Sequence, residues 1–332
     1  MTRLDQKLAR IHAGTYRPSD FIIADAKDGD MGPSLTACGP HRGADGQWTR
    51  HRTRAEFLDQ IRAIVRQDIV DIMLASASNL EVLGAEGLFH DSAVKPAIRA
   101  NDTTDIWVMR GATYVRRPSH PFRTAALPRM RAIGVDLGLY SVTFNNDIDA
   151  DIASLTAFSQ FRDEAAAHGF RYFLEVFNPN VDTGIDPEML PYYVNDCIVR
   201  ALAGVVSADR PMFLKIPYNG PKALEELASF DPGLVVGVLG GGAGTTRDTF
   251  ELLAQAERHG ARVALFGRKI NLAESPLDIV RLMRAVAGGE AAPIAAVRDY
   301  HGALSAKGIA PTRSLEDDLA ITEPVLRHAA TA

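Results

Sequence analysis

Cysteine is scarce: Cys38 and Cys197 are the only two in 332 residues. Two distant thiols make neither a disulfide framework nor a cysteine-based metal site. Long apolar runs are missing as well, and nothing reaches the roughly 18–20 residues that a membrane span needs. Neither sign of charge dominates. The 36 Lys and Arg against 41 Asp and Glu leave a net charge of −5, and the basic residues form no stripe of the kind that binds nucleic acid. Met1-Thr2-Arg3-Leu4-Asp5 carries no apolar signal core. The expectation is a cytoplasmic chain whose partner is a small molecule, with no nucleic acid and no membrane.

What is present is a regular alternation. Strand-type apolar runs at Phe21–Asp25, Ile69–Leu74, Asp105–Arg110, Leu139–Phe144, Arg171–Phe177, Met212–Tyr218, Val235–Leu239 and Val263–Phe266 are separated by helix-sized segments. Strands joined in this way pair in parallel. Eight βα units in a chain of this length fit a closed (β/α)8 TIM barrel better than an open doubly wound sheet. Leu4, Leu8 and Ile11 recur at helical spacing before Gly14, so an N-terminal helix precedes the first strand and is placed to plug one end. Ser275–Val286 supplies the last barrel helix, and the tail from Ala291 reads as a helical extension. With no linker or low-complexity stretch, residues 1–332 form one domain.

In a barrel, chemistry sits at the C-terminal ends of the strands. Three charged residues interrupt apolar strands there: Asp25, Glu175 within Phe173–Phe177, and Lys215 within Phe213–Tyr218. Alternation allows each to face the barrel axis. Unpaired charges are costly to bury, so three at one end suggest a site. A lysine held there in neutral form is a nucleophile for carbonyl groups. The seventh strand runs into Gly240-Gly241-Gly242-Ala243-Gly244, whose backbone N–H groups have little side-chain cover, and the eighth ends in Gly267-Arg268. Exposed amides beside a guanidinium are suited to a phosphate.

Asp25, Glu175, Lys215, the glycine loop and Gly267-Arg268, in this order, resemble the class I aldolases of the DhnA and tagatose-bisphosphate aldolase type. The resemblance is clearest from Leu139 to Leu282. It implies that Lys215 forms a Schiff base with a ketose phosphate, that Glu175 moves protons and that Asp25 orients the substrate. It implies too that Gly240, Gly241, Gly242, Gly267 and Arg268 hold the phosphate, with no metal and no cofactor, in a chain expected to form a homo-oligomer. Many relatives carry a lysine on the fourth strand. Tyr140–Asp147 holds none here, and Lys27 is the candidate replacement.

Two other classes compete. Asp25, Asp28, Asp30 and Glu175 offer carboxylates to a divalent cation, as in a metal-dependent barrel lyase or epimerase. A non-catalytic sugar-phosphate sensor would keep the cradle alone. The stretch 27–52, rich in Gly and Pro, starts at the rim of the site and is expected to fold over the mouth as a lid or to reach a neighbouring subunit, with Pro33, Pro40 and Trp48 weighing against disorder.

Overall fold

The computed structural model describes residues 2–43, 47–242 and 244–327. Gly46, one of the glycines of the expected lid, and Ala243 of the glycine loop lie outside the described residues. Eight parallel strands form the sheet: β1 (Ile22–Lys27), β2 (Ile72–Ala75), β3 (Lys95–Arg99), β4 (Leu137–Thr143), β5 (Arg171–Phe177), β6 (Leu214–Lys215), β7 (Gly237–Leu239) and β8 (Val263–Phe266). Their order is β6-β5-β4-β3-β2-β1-β8-β7. The ring closes between β6 and β7 through the Ile216–Val238 bridge and the bonds Leu214 N to Val235 O and Leu239 N to Ile216 O. The result is a (β/α)8 TIM barrel, with additional helices at both chain ends.

Alternation splits each strand between two cores. Ile22, Ala24, Leu74, Ala97, Leu139, Phe173, Phe213, Val263 and Leu265 fill the barrel interior, whereas Ile23, Met73, Ile98, Leu174, Leu214 and Phe266 pack outward against the helices. The helix Arg3–His12, capped by Thr2, puts Leu4 and Leu8 into the interior set and so stoppers the N-terminal end. Its Lys7 and Arg3 meet the buried Asp71 just before β2, as does Arg284 from the last barrel helix, Pro276–Ala287. The C-terminal segment continues as the helix Pro293–Ala306 and two short turns. Asp318 accepts from Thr246 N, and Thr322 N donates to Asp248, which ties this arm to the helix that follows the glycine loop.

One strand is displaced from its expected place. The third barrel strand is Lys95–Arg99, not Asp105–Arg110. Residues 105–110 belong instead to an excursion after β3, pinned by a two-stranded ribbon of Asp102–Thr103 with Pro121–Phe122. Its apolar residues serve a local aromatic cluster, with Trp107 lying 5.2 Å from Tyr114 and 5.3 Å from Phe122 between ring centroids.

The long segment after β1 is folded. It contains two short 3-10 turns, Gly29–Met31 and Ser34–Cys38, and a ribbon of Pro40–Arg42 with Trp48–His51. Arg52 Nη1 donates to the carbonyls of Cys38 and Asn271, and Asp30 Oδ2 accepts from Ser76 and Asn79. Trp48 is 58% exposed, and its packing is confined to an edge-on contact with His51 among the described residues.

Candidate active site

A cavity of about 550 Å³ opens at the C-terminal end of the strands. Deeper in the barrel, Phe173 and Phe213 stack with centroids 4.6 Å apart on the inner faces of β5 and β6. Two residues further along, the same inward phase presents Glu175 and Lys215. These two are direct partners in the β5–β6 register, 1% and 6% exposed, and the Lys215 ammonium contacts Glu175 Oε1. A buried carboxylate and a buried ammonium are each costly alone, and their contact is what allows both to remain at this depth.

Arg99 completes the arrangement from the end of β3. Its Nη2 donates to Glu175 Oε2 at 3.1 Å, its Nη1 to Ser141 Oγ at 2.8 Å and its Nε to Asp28 Oδ2 at 2.6 Å. Ser141 Oγ in turn donates to Glu175 Oε2 at 2.6 Å. Asn101 exchanges two bonds with the Ser141 backbone and fixes β4 beside β3. Asp28, Glu175, Arg99 and Lys215 thus form a closed set of two anions and two cations. Burial alone would push the Asp28 carboxyl up, but the Arg99 and Lys215 charges outweigh it and hold the carboxyl below its ordinary value. For Arg99 burial acts downward, and the Asp28 and Glu175 charges reverse that effect and raise it.

Asp25 is not part of this set. It pairs in register with Met73 and Phe266, both in the outer core, while its neighbour Ala24 pairs with the inward Ile72 and Leu265. The expectation that Asp25 faces the axis is therefore corrected: the carboxylate that this segment brings to the site is Asp28, one residue past the strand. Asp25 is fully buried, and burial pushes its carboxyl up to about 6 against the pull of Lys27. Lys27 shares the outward phase, with its ammonium 3.5 Å from Asp25 Oδ2 and from Asn271 Oδ1. It borders the cavity, but the second cation at Glu175 is Arg99.

The glycine loop and the end of β8 form the opposite wall. Gly240, Gly241, Gly267 and Arg268 border the cavity, and Gly242 lines the neighbouring pocket that shares Leu239, Gly240 and Gly241 with it. The Gly240 amide is committed to the Leu265 carbonyl at 2.7 Å, so this glycine contributes space rather than a donor. A Cβ on Gly240 would lie 2.4 Å from the Phe266 ring, and one on Gly267 would lie 2.7 Å from the Ala26 carbonyl. Gly241 has φ +61°, the left-handed region that glycine enters without strain. Arg268 is exposed, and its Nη2 donates to the Gly241 carbonyl at 2.7 Å, bracing the loop.

Comparison of structures places the same fold in archaeal fructose-1,6-bisphosphate aldolases. One is superimposed with a TM-score of 0.61 at 14% identity, covering 86% of this chain and 99% of the aldolase. Another, captured with its catalytic Lys covalently bound to the carbinolamine intermediate of the substrate, gives 0.61 at 15% identity, with 86% and 100% covered. A Corynebacterium glutamicum protein gives 0.57 at 18% identity, with 86% and 94% covered. The chain resembles the archaeal aldolases in fold. No family model matches the sequence, and no curated protein matches it.

The carboxylates of the metal-enzyme alternative do not converge. Asp25 faces outward, Asp30 is held by Ser76 and Asn79, and Arg99 stands between Asp28 and Glu175. Among the described residues, no group of three or more His, Cys, Asp or Glu is placed to hold a metal ion. Among the described residues, too, no helix is long and apolar enough to cross a membrane. A larger hollow of about 860 Å³, bordered by Tyr16, Lys222 and His259, lies at the N-terminal side of β7 and β8, and none of the four charged residues reaches it.

Proposed function

We propose that the protein is a class I aldolase-type lyase that cleaves or forms a C–C bond in a ketose phosphate through a Schiff base on Lys215. The observation that carries this reading is the Lys215–Glu175 contact on the floor of the cavity. Transfer of one proton within that pair turns an ammonium and a carboxylate into a neutral amine and a carboxylic acid without changing the net charge. The amine attacks the ketose carbonyl, and the carbinolamine loses water with Glu175 as the acid. In the iminium, the Glu175 carboxylate left by that step takes the proton of the hydroxyl on the second carbon from the imine carbon, and the bond between that carbon and the one next to the imine breaks. The electron pair moves to the iminium, an aldehyde leaves, and the enamine takes a proton and is hydrolysed.

Each neighbour has a part in this reading. Arg99 and Ser141 hold Glu175 Oε2 and leave Oε1 for Lys215. Asp28 takes the hydroxyl-orienting role that the resemblance implies for Asp25. Arg268 and the Gly241 and Gly242 amides meet the phosphate, while Gly240 and Gly267 let it come close. The described residues of segment 27–52, whose Gly29, Pro33 and Ala37 line the cavity, act as the lid that shields iminium and enamine from water.

The test is turnover of ketose phosphates by Lys215→Arg, which keeps a cation near Glu175 but cannot form the imine. Aldehyde release falls to background while phosphorylated ligands still bind. Turnover equal to that of the unaltered chain contradicts the Schiff base.

A further inference from the structure

The cavity is chemically lopsided, and the asymmetry bears on what kind of ketose phosphate it takes. In an eight-stranded ring β3 stands across from β7, so the loop after β3 faces the glycine loop. At the β7–β8 end are the glycine amides and Arg268. At the far end the wall is Asp105, Ile106 and Val108. Asp105 accepts from two neutral hydroxyls, Ser119 Oγ at 2.8 Å and Thr143 Oγ1 at 2.9 Å, so neither bond cancels its charge.

The cations that border the cavity are unevenly committed. Lys27 is paired with Asp25, Lys215 with Glu175, and Arg99 with both Asp28 and Glu175. Among the described residues, Arg268 rests on a carbonyl, that of Gly241, and on no carboxylate. An anion entering at β7–β8 therefore meets a guanidinium whose charge is not already matched by a carboxylate. One entering at β3 meets Asp105 and two aliphatic side chains, where like charges repel and a phosphate would shed water without compensation.

We infer that the substrate is a ketose monophosphate, with its one phosphate next to the carbonyl carbon and bound at β7–β8. Its far end, which leaves as the aldehyde, is uncharged and in part apolar. This rests on the aldolase reading above and narrows it: a sugar carrying a phosphate at both ends is disfavoured.

The experiment is borohydride trapping on the full chain with three probes: dihydroxyacetone phosphate, fructose 1-phosphate and fructose 1,6-bisphosphate. The quantity read is the concentration giving half-maximal adduct on Lys215 by peptide mass. The two monophosphates trap at concentrations lower than the bisphosphate by roughly tenfold or more. Asp105→Asn, which keeps one acceptor oxygen and offers an N–H to the other hydroxyl, narrows that gap several-fold, with thermal unfolding confirming that the variant is folded. Trapping of the bisphosphate at equal or lower concentration than fructose 1-phosphate overturns the inference and leaves the aldolase reading standing. No adduct with any of the three overturns both.

Discussion

Arg99 and Glu175 meet through one carboxylate oxygen: Arg99 Nη2 donates to Oε2 at 3.1 Å, and Oε1 is left to Lys215. The arginine also anchors Asp28, so one guanidinium from β3 organises the charged residues of three other segments. Replacing it by an apolar residue takes the ion-pair partner from the buried Asp28 and one of two from Glu175. Arg99→Met is expected to lower stability by about 3–5 kcal/mol, as other broken buried pairs do, and Arg99→Lys to recover part of that loss. Urea unfolding of the two variants checks this, and equal midpoints for Met and Lys would contradict it.

Glu175→Gln keeps the shape and removes the proton carrier. Turnover is expected to fall by roughly 100- to 10,000-fold, whereas the imine on Lys215 still forms, more slowly. Single-turnover kinetics with trapping separates the two steps. Loss of both to the same extent would make Glu175 a partner of Lys215 only.

Arg268→Ala removes a cation that meets the phosphate in ground and transition states alike, and a brace of the glycine loop. KM is expected to rise by roughly 10- to 100-fold with a smaller change in kcat. Steady-state kinetics decides, and an unchanged KM would remove Arg268 from the cradle.

The opposite end of the barrel gives a prediction about acid stability. Asp71 is fully buried and accepts from Lys7, Arg3, Arg284 and the Ile23 amide. Burial would raise its carboxyl, but Arg284 and Lys7 outweigh that and hold it below the ordinary value. Lys7 itself is pushed down to about 8 by burial and so stays charged throughout the acid range. A depressed carboxyl stabilises the fold above its unfolded pKa of about 3.9; that contribution is lost as pH falls through the lower folded value. Asp71→Asn is therefore expected to be less stable near neutrality and to lose less on acidification below about pH 4. Parallel acid-unfolding slopes for the two chains would contradict the assignment.

The sequence was most informative where a charge stood alone in an apolar strand. Glu175 and Lys215 met that condition, and their inward phase follows from Phe173 and Phe213 on the same faces. Asp25 met it too, but alternation leaves the phase open, and only the pairing of Ala24 with Ile72 and Leu265 shows that Asp25 points outward. Arg99 was missed because Lys95-Pro96-Ala97-Ile98-Arg99 has a proline and flanking cations that mask a strand. Ile106-Trp107-Val108-Met109 has strand composition but follows β3 in a loop excursion. Asp28 stood out only as a carboxylate for a divalent cation, and Arg99 beside it makes it part of an ion-pair set instead. The signal available beforehand was the missing fourth-strand lysine, which called for a cation from elsewhere.

The most direct measurement is reduction of the protein with borohydride in the presence of dihydroxyacetone phosphate, followed by intact mass and peptide mapping. The account predicts one reduced adduct, on the peptide carrying Lys215, that disappears in Lys215→Arg. An adduct on another lysine, or none at all, would contradict it.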